Sequence, residues 1–292
     1  MTKTNSSSAL SSSAPKAFVI GWPIEQSKSP VIHGYWLKKF DFAGSYEKIA
    51  VEPDALGSFI AEMKNKGFAG GNVTIPHKQA VLAFADVVHP AAKRLQAANT
   101  LWFEDGKLHA DNTDGYGFLA NLDQLQPGWD SKKGGHAMVL GAGGAARPII
   151  NGLIERGFST VTIANRTKEK AEVLVKLFTE LGYDDHLQCI EWEERSEQLC
   201  DIDLLVNTSS LGMIGQPPLE ISLAALPASA LVTDIVYNPL ETDLLRQARM
   251  RGNLVVDGLG MLLHQAVPGF EHWFGKRPTV TEALREEVLV QL

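Results

Sequence analysis

Cysteine is scarce in this sequence: Cys189 and Cys200 are the only two in 292 residues, too few for a disulfide framework or a closed zinc site. The eight histidines show no HExxH pair and no cysteine partner nearby, so no metal is assigned. Apolar runs long enough to span a bilayer are missing, and residues 1–15, with six serines before Pro15, lack the apolar core of a signal peptide. Positive charge is in deficit. The 27 Lys and Arg stand against 34 Asp and Glu, a net charge of -7, which argues against a coat for nucleic acid or anionic membrane. Any anion site must therefore be local. These absences predict a cytoplasmic enzyme with a disordered tail over residues 1–15.

What is present reads as a soluble globular chain, with 45% hydrophobic and 21% charged residues. The length predicts two domains. Ala17–Ile20 is a short apolar run stopped by Gly21 and Pro23, and Pro30 opens helical spacing over Val31–Phe40. Ser45–Val51 follows as strand, Ala55–Met63 as helix, and Gly70–Ile75 as strand before Pro76, with a helix expected beyond. Leu101–Phe103 and Leu108–Ala110 flank Asp105-Gly106, a hairpin signal that places antiparallel strand in this half. Helical spacing over Asp114–Leu125 leads to Gln126-Pro127-Gly128, a natural hinge. A second series comprises strand His136–Leu140, helix Ala145–Arg156, then strands Thr160–Ala164, Leu204–Asn207, Leu231–Val236 and Leu254–Val256. Met261–Phe274 and Thr279–Leu292 are helical stretches placed to return to the first half. The pattern predicts an α/β protein of two domains: a mostly parallel α/β substrate domain from 16–116 plus 263–292, and a Rossmann-like NADP-binding domain from 117–262.

Gly141-Ala142-Gly143-Gly144-Ala145-Ala146 lies between an apolar strand and a helix and fits the dinucleotide fingerprint with Ala in third place. Gly141 permits the tight turn, Gly143 lets backbone approach a pyrophosphate, and Ala146 allows close packing of helix on strand. A glycine-rich turn alone could simply turn the chain; the surrounding βαβ context favours the nucleotide. At the end of the next strand, where a carboxylate would hold the ribose of NAD, stand Asn165, Arg166 and Thr167. Arg166 can meet a 2'-phosphate with a charge-assisted fork, so NADP is the expected cofactor.

Gly21-Trp22-Pro23-Ile24 with Ser27-Lys28-Ser29-Pro30, Asn72-Val73-Thr74-Ile75-Pro76-His77-Lys78, Ala98-Asn99-Thr100 and Asp111-Asn112-Thr113-Asp114-Gly115 form an ordered set. With Gly258-Leu259-Gly260-Met261-Leu262 and Gln265, this set resembles the shikimate dehydrogenase family in order and spacing over about residues 17–290. The resemblance implies NADPH-dependent reduction of 3-dehydroshikimate to shikimate in aromatic amino-acid biosynthesis, with Lys78 and Asp114 as the catalytic pair. It also implies that Ser27 and Ser29 hold the substrate carboxylate, and that Thr74, Asn99, Asp114 and Gln265 hold ring hydroxyls. Tyr237 matches a further substrate-side position, while Ile235 and Gly258 match positions lining the nicotinamide. One departure is Glu25-Gln26 before Ser27, where many relatives carry a histidine.

The chemistry stands beside the resemblance. Hydride transfer to a carbonyl leaves negative charge on oxygen, which a positioned ammonium can stabilise and protonate. Each residue also has a bland reading: Ser27 or Ser29 capping the helix after Pro30, Asp114 capping its own helix, Lys78 solvated, His77 in packing. For partners the reading implies shikimate and 3-dehydroshikimate, neither nucleic acid nor membrane, and a homodimer as compatible but unspecified. Two rival readings share the fold: a quinate or dual-specificity dehydrogenase, and a non-catalytic sensor of shikimate-like metabolites.

Overall fold

A computed structural model describes residues 14–131 and 134–292; the expected tail lies, but for its last two residues, outside them. Two six-stranded sheets organise the chain. In the first, β1 (Lys16–Gly21) runs between β2 (Ser45–Ala50) and β3 (Phe68–Val73), all parallel. Next come β5 (Thr100–Glu104), β6 (Lys107–Asp111) and the short β4 (Val87–Val88). Strand β5 runs against the others, paired with β6 across the expected Asp105-Gly106 turn, where both residues take positive φ. Gly71 at the centre of β3 faces the Phe18 ring so closely that any Cβ would collide with it.

The second sheet is wholly parallel, in the order β12 (Leu254–Val256), β11 (Leu231–Asp234), β10 (Leu204–Asn207), β7 (His136–Leu140), β8 (Thr160–Ala164), β9 (Leu187–Ile190). Numbered within this half, that is 6-5-4-1-2-3, the doubly wound dinucleotide-binding order. Its four central strands, β11, β10, β7 and β8, are buried on both faces, as a continuous apolar run such as Ala137-Met138-Val139-Leu140 requires.

Several elements depart from the sequence pattern. The helix expected beyond Pro76 is a run of turns ending in a 3-10 segment at Ala80–Phe84. The strand expected to Val236 stops at Asp234, because the Asp234 carboxylate takes the Val236 N–H at 3.0 Å in place of a ladder partner. The long helix expected over Met261–Phe274 is two, α8 (Leu259–His264) and α9 (Ala266–Phe274), meeting at Gln265. Helices α3 (Pro90–Leu95), α6 (Lys168–Glu180) and α7 (Asp243–Met250), with β4 and β9, enter from the structure alone.

The returning helices behave as expected. α9 and α10 (Glu282–Leu289) bury Phe270, Trp273, Leu284 and Val288 against Ile32 and Trp36 of α1 (Ser29–Lys39). His33 sits in this aromatic core, stacked on Tyr46 at 4.1 Å between centroids, and burial pushes its imidazole down to about 3, so it is neutral. α4 (Asp114–Leu125) crosses from the first sheet and packs on α8 and on α5 (Ala146–Glu155), tying the two halves together. Among the described residues no helix is long and apolar enough to cross a membrane.

Candidate active site

Every candidate substrate and catalytic residue of the first half lies at one edge of its sheet. The loop bearing Ser27 follows β1 and runs into Ser29, the first residue of α1; the turn with Thr74 and Lys78 follows β3, Asp114 opens α4 after β6, and Asn99 immediately precedes the antiparallel β5. Carboxyl ends of parallel strands form such crevices because the connecting loops splay apart there. The backbone around Lys78 is fixed: its carbonyl accepts the Ala98 N–H at 2.7 Å, and the Asp111 carbonyl accepts the Asn99 N–H at 3.0 Å. His77 is buried with Nε2 at 2.7 Å from the Val51 carbonyl, which gives it the packing role expected beside Lys78.

Lys78 Nζ donates to Asp114 Oδ2 at 2.6 Å, and Asn99 Nδ2 donates to Asp114 Oδ1 at 2.7 Å. Asn99 is itself locked, since its Oδ1 accepts from the Thr113 N–H and the Thr100 hydroxyl, each at 2.9 Å. Its amide also reaches Gln265 Oε1 at 3.4 Å, and the Thr113 hydroxyl donates to the Gln265 carbonyl at 2.8 Å. This network spans the junction of α8 and α9, so the break at Gln265 delivers that side chain to the site. The side chains of Lys78 and Asp114 keep 30% and 15% of their surface, so the pair faces open space and can meet a ligand.

That space is a cavity of about 420 Å³ lined by Ser27, Ser29, Thr74, Lys78, Asn99, Asp114, Tyr237 and Gln265, with Ile235 and Gly258 on the second-half side. The bland alternatives fare differently here. Ser27 Oγ accepts the Ser29 N–H at 3.4 Å, a weak contact at the start of α1, whereas Asp114 spends its carboxylate on Lys78 and Asn99 rather than on the end of its own helix. Asn72 lines the same cavity, a residue for which the sequence pattern suggested no role: its Oδ1 accepts the Tyr46 hydroxyl at 2.6 Å and its Nδ2 donates to the Asn99 carbonyl at 3.1 Å. A polar side chain in the otherwise apolar strand β3 was the available signal.

Ile235 and Tyr237 are placed by a buried carboxylate. Asp234 accepts from Asn207 Nδ2 at 2.9 Å, the Val236 N–H at 3.0 Å and the Thr242 hydroxyl at 2.7 Å. Burial outweighs these donors and pushes its carboxyl up to about 6.

A second cavity, of about 510 Å³, opens over the carboxyl ends of β7, β8 and β10, and Gly141, Ala142, Gly143, Asn165, Arg166 and Thr167 line it. Gly144 and Ala145 lie on the same loop without lining the cavity. Gly141 has φ of +110°, and a Cβ there would press on Thr208 and Ser209, so the tight turn requires glycine. At Gly143 and Gly144 a Cβ would meet no protein atom within 4 Å. Packing does not demand glycine at those two positions. The Ala142 N–H is spent on Asn165 Oδ1 at 3.0 Å, which makes Asn165 a brace of the loop. Lys170, one helical turn beyond Arg166, adds a second cation to this cavity and was not singled out by sequence.

Comparison with known families follows the same division. Residues 19–101 match the shikimate dehydrogenase substrate binding domain, 125–226 match shikimate / quinate 5-dehydrogenase, and 258–289 match the shikimate 5'-dehydrogenase C-terminal domain. The NADP(+) shikimate dehydrogenase of Methylocella silvestris is 52% identical over 279 residues, 96% of this chain and 97% of that one. The chain belongs to the shikimate dehydrogenase family. Among solved shikimate dehydrogenases, that of Thermus thermophilus in complex with NADP(H) and shikimate superposes with a TM-score of 0.81 at 33% identity, covering 95% of this chain and 100% of that one. A quinate dehydrogenase from Corynebacterium glutamicum in complex with NAD reaches 0.86 at 27% identity over 96% of this chain and 99% of that one. Asp114, Ile235 and Tyr237 fall between the spans matched to the shikimate dehydrogenase domains, and it is the fold that brings them to the site.

Proposed function

We propose that this chain catalyses the reversible reduction of 3-dehydroshikimate to shikimate with NADPH, with Lys78 and Asp114 managing the proton at the reacting oxygen. The carrying observation is the 2.6 Å contact between Lys78 Nζ and Asp114 Oδ2 in a cavity that also gathers Ser27, Ser29, Thr74, Asn99 and Gln265. The second cavity suits NADP: bare backbone at Gly143 and Gly144 leaves room for a pyrophosphate, and Arg166 with Lys170 offers charge to a 2'-phosphate. NADPH bound there supplies the hydride.

The chain's residues do the rest. Ser27 and Ser29 hold the substrate carboxylate near the start of α1, where the helix dipole adds to their hydroxyls. Thr74, Asn99 and Gln265 orient ring hydroxyls, and Tyr237 closes the far side. As the carbonyl carbon gains hydride, its oxygen gains charge; Lys78 donates a proton to that oxygen and Asp114 holds the ammonium in line. In the reverse direction the pair takes the hydroxyl proton as one coupled unit. Ile235 and Gly258 form the wall for the nicotinamide.

We take the chain as two domains, 16–116 with 263–292 and 117–262, with the substrate between them. We also propose a cytoplasmic enzyme that does not engage nucleic acid, whose state of assembly, monomer or homodimer, sedimentation decides. Arg166 in the nucleotide cavity favours this activity over an NAD-linked quinate dehydrogenase, and the Lys78–Asp114 pair favours it over a sensor. The test is an absorbance assay of nicotinamide oxidation and reduction that crosses shikimate and quinate with NADP and NAD. Turnover fastest with shikimate and NADP supports the proposal; turnover only with quinate and NAD refutes it.

A further inference from the structure

A large aromatic that neither fingerprint nor family motif accounts for lies in the nucleotide cavity. Trp192 lines it together with Arg166, Lys170, Ser209 and Ser210. Its surroundings hold it firmly. The indole packs against the core cluster beside β8 and β10, and the Arg195 guanidinium lies over the ring at 4.2 Å from its centroid. Arg195 is clamped in turn by two carbonyls, those of Trp192 and Glu220, so it cannot swing away without losing both. One face of the indole is therefore occupied, and what remains for the cavity is the opposite face or an edge.

The charge next to Trp192 is also managed. Glu191 would repel a phosphate, yet it is paired with Lys168 at the start of α6 and closes a capping box with Glu194. Lys168 follows Asn165-Arg166-Thr167 directly, so this ion pair binds the Trp192 segment to the loop that carries the phosphate-binding charges. A cavity with two cations, a braced aromatic beside them and a neutralised acid is suited to a purine that bears a nearby phosphate. Aromatic rings favour a base by dispersion and quadrupole contact regardless of its hydrogen-bonding edge.

We infer that Trp192 is a cofactor-binding residue that packs against the adenine of NADP, and that Arg195 is a positioning residue holding the indole in place. The inference rests on the NADP reading above. It goes beyond it by assigning the adenine contact to a segment after β9 that carries no recognised motif.

The test uses the full chain and adenosine 2',5'-bisphosphate as probe, titrated by calorimetry into wild type, Trp192→Ala, Trp192→Phe and Arg166→Ala. Loss of one base–aromatic contact predicts about tenfold weaker binding for Trp192→Ala, most of it recovered in Trp192→Phe. The KM for shikimate at saturating NADP should not move in either variant. Wild type should also lose part of its tryptophan emission when the probe binds, and Trp192→Phe should lack that fraction. If Trp192→Ala binds the probe as wild type does while Arg166→Ala does not, the inference is wrong and the NADP site stands. If both bind as wild type, the NADP site fails as well. Should Trp192→Ala not fold, the Trp192→Phe emission decides: quenching equal to wild type overturns the inference.

Discussion

Replacing Lys78 with alanine gives the sharpest test of the site. The ammonium is held at 2.6 Å from Asp114 Oδ2, and its side chain keeps 30% of its surface toward the cavity, so its removal costs the fold little. An ion pair at that exposure contributes roughly 1 kcal/mol or less. Asp114 also keeps its Asn99 donor at 2.7 Å and stays in place. Catalysis should suffer far more. A positioned proton donor is worth roughly 10²–10⁴ in rate, and one donor to a developing oxyanion roughly 10²–10³. The two effects overlap in one group, so the expected fall in kcat is about a thousandfold, or about 4 kcal/mol at 1.36 kcal/mol per decade. The KM for shikimate should change much less, because Ser27, Ser29, Thr74, Asn99 and Gln265 remain. Steady-state kinetics in both directions, with a thermal melt as the control for folding, read all three quantities. A folded Lys78→Ala enzyme with kcat within about tenfold of wild type would refute the assignment.

Other expectations follow from single contacts. Arg166→Ala should weaken NADPH about 10- to 100-fold, the worth of charge-assisted hydrogen bonds, and leave NADH nearly unchanged; equal losses in fluorescence titrations would remove the 2'-phosphate role. Gly260→Ala would drive a Cβ into Asn121 Oδ1, whose amide donates to the Asp257 carbonyl at 2.7 Å. Overpacking there should cost about 1–3 kcal/mol in denaturant melts and shift α8 and Gln265 with it; an unchanged midpoint would contradict the packing. Asp234 has a carboxyl raised from 3.8 to about 6, so between those values the folded state holds a proton that the unfolded state has lost. Its contribution to stability is therefore full at acid pH and lost as pH rises through about 6. Measured against Asp234→Asn, wild type should lose about 2 kcal/mol from pH 4 to 7, and a difference independent of pH would rule this out.

Much of the site was legible because its signals are local. Gly141 needs a positive φ, and that need writes glycine into the chain directly after an apolar strand. Asp105-Gly106 announced its hairpin for the same reason. Lys78 and Asp114 were legible only through the resemblance of their flanking motifs, since neither residue type in isolation points to catalysis. Helix α6 and strand β9 escaped notice: α6 is rich in charge, and β9 is four residues long and only partly buried.

The sequence by itself determined the alternation of strand and helix, the two-part division and the positions of the turns, because each depends on periodicity or on a residue's own backbone freedom. Tertiary structure decided what meets what. The break at Gln265, the Tyr46–Asn72–Asn99 chain behind the Lys78–Asp114 pair, and Trp192 beside Arg166 join residues from separate elements. Such meetings depend on strand order and helix packing, and no window of sequence contains them.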